Sequence, residues 1–415
     1  MNPIFMSWGI AALATAGVIT RPFKWPEAVW AVTGALLLVV LGLLPVTQAL
    51  QAVAKGIDVY LFLFGMMVLS EVGRREGLFD WVAVLAVNHA KGSPKRLFLL
   101  VYLVGVVVTT FLSNDAAAVV LTPAVFAAAK KAGSKPLPLL FVCAFIANAA
   151  SFVLPISNPA NLVLYGNHTP ALGPWMARFI VPSVLSIVAT YIMLRWSQRR
   201  DLQGTCESDL KGVALSASGR VALGGIGVTA AVLLIVSAFD IQLGLPTAIL
   251  GALTAAIVLI KERSSPMPLV KDISWSILPL VAGLFVMVEM LQQTGVIAHL
   301  AHYVQAATHR DEVASAASAG AVIAVASNFM NNLPAGLIAS TTVALAHSPE
   351  RVIDALLIGV DLGPNLSITG SLATILWLNA IRREGEDVSF MKFLRVGAVV
   401  MFPALILAIG ARVLI

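Results

Sequence analysis

The sequence predicts an all-α polytopic membrane protein made of two inverted repeats of five spans, each with a re-entrant hairpin and a broken helix. Three observations lead there. Of 415 residues, 59% are hydrophobic and only 12% charged, whereas soluble domains carry roughly 25% charged residues. The apolar run 97–129 is interrupted by Ser113, Asn114 and Asp115, and 217 positions later the run 312–346 is interrupted by Asn331, Asn332 and Pro334. Finally, Gly65, Glu71 and Gly77 recur with the same spacing as Gly283, Glu289 and Gly295, at an offset of 218, and Pro26 and Pro246 lie 220 apart.

A bilayer core takes about 20 helical residues. In chain order the expected spans are 4–20, 28–46, 57–73, 137–165, 175–195, 219–238, 244–260, 274–293, 352–380 and 393–412. Segments 1–195 and 219–415 form the two repeats, joined by the polar linker 196–218. The first segment has no basic stretch before its apolar run, so it reads as a mature span rather than a cleaved leader. Segments 137–165 and 352–380 are long and polar at their centres, which marks them as broken helices. The hairpins 97–129 and 312–346 have short apolar arms around a polar tip, and each is expected to enter and leave one membrane face. Segments 77–90 and 296–308 are short and carry Asp or His, which places them at the interface. An odd number of full spans per half makes the repeats inverted.

Lys and Arg set the orientation. Arg21 and Lys24, Arg74 and Arg75, the clusters at 91–96, 130–135 and 195–200, Lys211, and the stretches 261–271 and 382–395 fall on one face. The positive-inside rule makes that face cytoplasmic, with both termini outside. The net charge of +6 is spread through these short loops, so nucleic-acid binding is not its explanation. Cys143 and Cys206 form neither a disulfide framework nor a metal site. No nucleophile triad, phosphate-binding loop or His/Cys cluster occurs, so neither an enzyme nor a resident cofactor or metal is expected.

A carboxylate inside an apolar run must face protein or water. Broken segments at corresponding places of two halves point to the binding site of a secondary transporter. The first half supplies Asn114 and Asp115 at its tip, with Asn148, Ser157, Asn158 and Asn161 in its broken helix. The second supplies Asn331 and Asn332, then Asp361, Asn365, Ser367, Thr369 and Ser371. Pro155, Pro159, Gly363, Pro364 and Gly370 let these helices unwind. The amides and hydroxyls either satisfy the opened backbone or bind a small polar substrate. Asp115 and Asp361 are the carboxylates nearest the breaks, each readable as a proton carrier, an ion ligand or a helix cap. Asp115 is the first choice for the proton, because its repeat counterpart by position is Asn332. Glu71 and Glu289, near span ends, read as structurally paired. His89, His302, His309 and His168 lie at interfaces or in a loop and are not ligands.

At these motifs the chain resembles the ArsB-type arsenite/antimonite efflux permeases of the ion transporter superfamily. The carrying stretches are 113–123, 328–334 and 360–374, the last the most specific, and the match spans essentially the whole chain. The resemblance implies a bacterial inner-membrane carrier that expels neutral arsenite and antimonite hydroxides in exchange for protons. It also implies a scaffold and a transport domain, an optional cytoplasmic arsenite-stimulated ATPase partner and, in many relatives, a homodimer within membrane lipid. Alternatives are a sodium/proton antiporter or anion carrier of the same fold, and a passive channel for a neutral solute. The absence of Arg or Lys near the breaks speaks against a dicarboxylate. With Cys143 and Cys206 far apart in sequence and topology, a tris-thiolate trap is not expected; if Cys143 touches cargo at all, it does so alone.

Overall fold

A computed structural model describes residues 3–166, 169–207, 210, 214–239 and 241–415, so His168 and Lys211 lie outside the described residues. The first half opens with α1 (Pro3–Thr20), α2 (Glu27–Val40), α3 (Val46–Lys55), α4 (Ile57–Arg75) and α5 (Leu78–His89). A helical pair follows, α6 (Pro94–Phe111) and then α7 (Asn114–Ala116) running through a π turn into α8 (Thr122–Lys131). The broken helix is α9 (Pro136–Ala149) and α10 (Pro159–Tyr165), and α11 (Leu172–Ser197) closes the half.

The second half has the same order. It begins with α12 (Ala217–Ala238), α13 (Gly244–Glu262), α14 (Met267–Asp272), α15 (Ile277–Gln293) and α16 (Val296–Arg310). The pair α17 (Glu312–Met330) and α18 (Asn332–Ala346) precedes the broken helix α19 (Glu350–Leu362) and α20 (Leu372–Arg383), and α21 (Phe390–Leu414) ends the chain. Seven described helices are long and apolar enough to cross a membrane, nine if two bent pairs are counted as spans. The protein is a multi-pass membrane protein.

Two expectations shift. The span 28–46 is cut short: α2 ends at Val40, Gly42 takes φ +69° and Pro45 caps α3, which starts at Val46. The hairpin arms are also longer than expected: α6 and α17 have 18 and 19 residues, roughly 27–29 Å at 1.5 Å per residue. Both pairs nevertheless return to where they start. Cys206 N–H donates to Gly92 O and Glu207 N–H to Ala132 O, at 3.0 and 2.8 Å, so the linker joins both open ends of the first pair. Arg351 bonds Glu312 at 2.7 Å and does the same for the second.

Helices touch where side chains vanish. A Cβ on Gly65 would lie 2.2 Å from Thr247 O, and one on Gly251 2.7 Å from Gly65 O, so α4 and α13 meet backbone to backbone. Gly320 and Gly359 bring α17 and α19 together in the same way. Without a hydrophobic drive inside lipid, such close approach is what holds membrane helices together. Helix α9 is at the centre, buried around its whole circumference from Leu139 onward.

Candidate functional site

Each polar tip is built by a helix N-cap. Ser113 (φ 137°) caps α7 by accepting from Ala116 N–H, and Asn331 (φ 75°) caps α18 by accepting from Leu333 N–H. The caps align Ser113 with Asn331 at an offset of 218, the same as the Gly/Glu pattern. Asp115 therefore stands opposite Leu333, not Asn332 as position alone gave. Ser113 is the cap, so Asp115 is free of that role. The π turn 117–121 follows because Pro123 has no N–H and its ring would strike the carbonyl four residues back in a regular helix.

The breaks are held by their own side chains. Asn161 Nδ2 donates to the carbonyls of Ser151, Leu154 and Pro155 (2.8–3.3 Å). Ser157 Oγ accepts from Leu154 N–H and donates to Thr110 O, fastening the break to α6. In the second half Ser367 donates to Asn328 Oδ1 and Thr369 to Asn328 O, while Asn328 Nδ2 donates to Gly363 O. Asn332 N–H donates to Gly370 O at 2.9 Å. Asn365 Nδ2 donates to Phe145 O at 3.0 Å, and its Oδ1 accepts from Asn148 Nδ2 at 3.0 Å. These groups complete the opened backbone, as buried polar groups must.

Four expected residues converge on open space. Asn114, Asp115, Asn158 and Asn332 line a cleft of about 10 Å³ between the two tips, walled by Leu63, Ile277, Leu333 and Leu372. It adjoins a vestibule of about 80 Å³ that shares Leu63, Asp115, Pro159 and Ile277 and adds Ser70, Glu71, Ser113, Asp272 and Ser274. Asp361 lies one hydrogen bond behind the cleft: its Oδ1 accepts from Asn158 Nδ2 at 2.7 Å, and the residue is wholly buried. Asn331, Ser157, Asn161, Asn365, Ser367, Thr369 and Ser371 line neither space.

No ion pair reaches Asp115 or Asp361 among the described residues. Glu71 pairs with Arg74, which also holds Asp272 at 3.0 Å, at the vestibule wall. Glu289 pairs with Lys55 at 2.7 Å beside a separate cavity of about 220 Å³. Cys143 is buried and directed at Leu139 O within its own helix. Asp272 and the hub role of Asn328 were not singled out from sequence. Their only signal was adjacency to the motifs, Asp272 beside a basic stretch and Asn328 at the start of the second tip.

A profile described as a citrate transporter, CitMHS, matches residues 15–363. The chain belongs to the CitMHS family. The arsenical pump membrane proteins of Escherichia coli and Yersinia enterocolitica are each 28% identical to this CitMHS chain over 361 residues, covering 84% of both partners. An uncharacterized transporter of Mycobacterium tuberculosis, Rv2685, is 27% identical over 396 residues, with 91% of each covered. The resemblance drawn from the three motifs is thus borne out. Among solved structures, the Alcanivorax borkumensis YdaH transporter superposes with a TM-score of 0.59 at 14% identity, covering 100% of this chain and 98% of its own. MtrF of Neisseria gonorrhoeae gives 0.57 at 13%, covering 100% and 95%. At such identities the likeness concerns the fold of the CitMHS chain.

Proposed function

We propose that this protein is a secondary carrier that exports arsenite and antimonite from the cytoplasm, as neutral trihydroxides, in exchange for protons. The observation that carries the reading is the lining of the cleft. Asn114, Asp115, Asn158 and Asn332 offer donors and acceptors to the hydroxyls of a small uncharged solute, and no Arg or Lys lines the cleft or vestibule among the described residues. A cargo with several carboxylates would bring charge into that space with nothing to pair it. The names of the curated relatives support an arsenic cargo. The cleft is no larger than one water needs, so the tips have to part for cargo to enter.

The two halves act as inverted repeats in this reading, supported by their identical helix order and the 218 offset. Arg74, the open ends of the first hairpin and the linker take the cytoplasmic side of a bacterial inner membrane. The vestibule beside Arg74 and Asp272 then faces the cytoplasm. Expression in an arsenite-sensitive strain tests the proposal: resistance should rise and cell arsenic fall. Unchanged arsenic content with full membrane insertion would overturn it. The family's description makes citrate the second reading, and labelled citrate uptake by the same cells decides between them.

A further inference from the structure

The two broken helices interlock through two crossings of identical layout. In one, Asn158 caps α10, its Oδ1 accepting from Ala160 N–H at 3.0 Å, while its Nδ2 donates to Asp361 Oδ1 on α19 at 2.7 Å. In the other, Ser371 caps α20, its Oγ accepting from Thr374 N–H at 3.1 Å and donating to Asn148 Oδ1 on α9 at 3.4 Å. Asn148 and Asp361 hold the same place, one residue before the last of α9 and α19. They lie 213 positions apart, as do the caps Asn158 and Ser371. One crossing therefore contains a titratable group and the other an amide. The acid-against-amide asymmetry that position placed at Asp115 and Asn332 belongs to this pair.

Asn158 is also the member of the cleft quartet that touches a buried carboxyl. We infer that Asn158 is a positioning residue, through which a proton bound at Asp361 sets the cap of α10 and so the face that the cleft presents to its cargo. This rests on the proton-coupled reading above. As a carboxylate, Asp361 only accepts, and its bond to Asn158 Nδ2 is charge-assisted, about twice as strong as a neutral one. A proton arriving from outside turns one carboxyl oxygen into a donor and leaves a neutral bond to Asn158. Loss of that proton to the cytoplasm restores the first state, one proton entering for each neutral molecule leaving. Among the described residues Asp361 Oδ2 has no hydrogen-bond partner, so it is the free position for the proton. Ser151 also reaches the carboxyl, and it donates its own hydrogen to Asn148 O.

The elements packed on α19 bring few other titratable or charged groups, and most are engaged elsewhere. Helix α9 has Cys143, turned to Leu139 O, and α10 has Tyr165, bonded to Asp354. Helix α17 has Glu312, paired with Arg351, and α18 has none. Helix α21 has Arg412, paired with Asp354, and Lys392 and Arg395 in its first two turns. On α19 itself Glu350 pairs with Arg178, and Asp354 stands two turns before Asp361. Across the cleft, Asp115 is the other acid facing Asn158.

The test uses the full chain in vesicles, measuring arsenite accumulation driven by a pH gradient and arsenite exchange at equal pH across a pH series. Asn158→Gly is tolerated at a helix N-cap and removes the donor to Asp361. The midpoint of its exchange-against-pH profile should move by about one unit or more, a tenfold change in proton binding. Asp361→Asn should lose gradient-driven accumulation, and its remaining exchange should no longer vary with pH. The swap Asn148→Asp with Asp361→Asn should regain a response to the gradient. A wild-type profile in Asn158→Gly, or gradient-driven accumulation in Asp361→Asn, overturns the inference while leaving export intact. Failure of the wild type itself to accumulate arsenite would instead remove the proton-coupled reading.

Discussion

At Asn114, Asn158 and Asn332 an amide looks into the cleft, whereas at Asn161 and Asn365 the same side chain is consumed by backbone carbonyls. Asn114→Ala and Asn332→Ala should therefore weaken arsenite binding while the protein reaches the membrane in normal amount. Stranding a hydrogen-bond partner costs about 1–3 kcal/mol, roughly 5- to 150-fold in affinity, readable as the half-saturating arsenite concentration in exchange. Asn161→Ala and Asn365→Ala should act on folding instead: each leaves buried carbonyls unpaired, so the detergent-solubilised protein should melt at lower temperature. From sequence these residues were equivalent, since each is an Asn in an interrupted apolar run. Which way an amide faces depends on partners some 200 residues distant, such as Asn365 against Phe145, and no local pattern encodes that.

Among the elements, long uninterrupted helices were the most legible. The expected 175–195, 219–238 and 244–260 are α11, α12 and α13 with ends shifted by a few residues, because composition and length alone define them. Breaks were also legible, since Pro159 removes a backbone donor and Gly370 weakens a helix interior. The turn between α2 and α3 was hidden by the apolar 41–44, which extend the hydropathy through a chain reversal. The π turn in the first hairpin was equally invisible, although its cause, Pro123, was in view. Replacing Pro123 with Ala removes that cause. If the turn tightens to a regular helix, the tip rotates by roughly 100°, the angle of one residue, and Asp115 leaves the cleft. Arsenite export should fall with membrane levels unchanged. The contact between α4 and α13 gives a second prediction: Gly65→Ala puts a methyl into Thr247 O and Ala248 N, backbone atoms that have no flexible end to yield. Overpacking of this kind costs about 1–3 kcal/mol. The melting temperature should drop relative to Gly224→Ala on α12, where a Cβ meets nothing within 4 Å.

For the molecule as a whole, the basic segments gather on one edge by direct contact. Cys206 and Glu207 bond Gly92 and Ala132, Lys135 pairs with Asp201, Arg74 with Asp272, and Lys261 bonds Ala217 O. Lys55 with Glu289, Trp8 with Thr294 and Arg412 with Asp354 hold elements at the other helix ends, near both termini. In the proposed orientation the linker edge is cytoplasmic. Thiol labelling checks it, because Cys206 is partly exposed and the other cysteine, Cys143, is buried. In inside-out vesicles an impermeant maleimide should label Cys206, and in intact spheroplasts it should not. A cysteine at the exposed Gly173, on a background with Cys206→Ser, should give the opposite result. Burial pushes the Cys206 thiol up from its ordinary value, and the thiolate is the reacting form. Its labelling should consequently be slow at neutral pH and accelerate as the pH rises, more steeply than at an exposed cysteine. Labelling of Cys206 from outside intact spheroplasts would reverse the assigned orientation and, with it, the side onto which the vestibule opens.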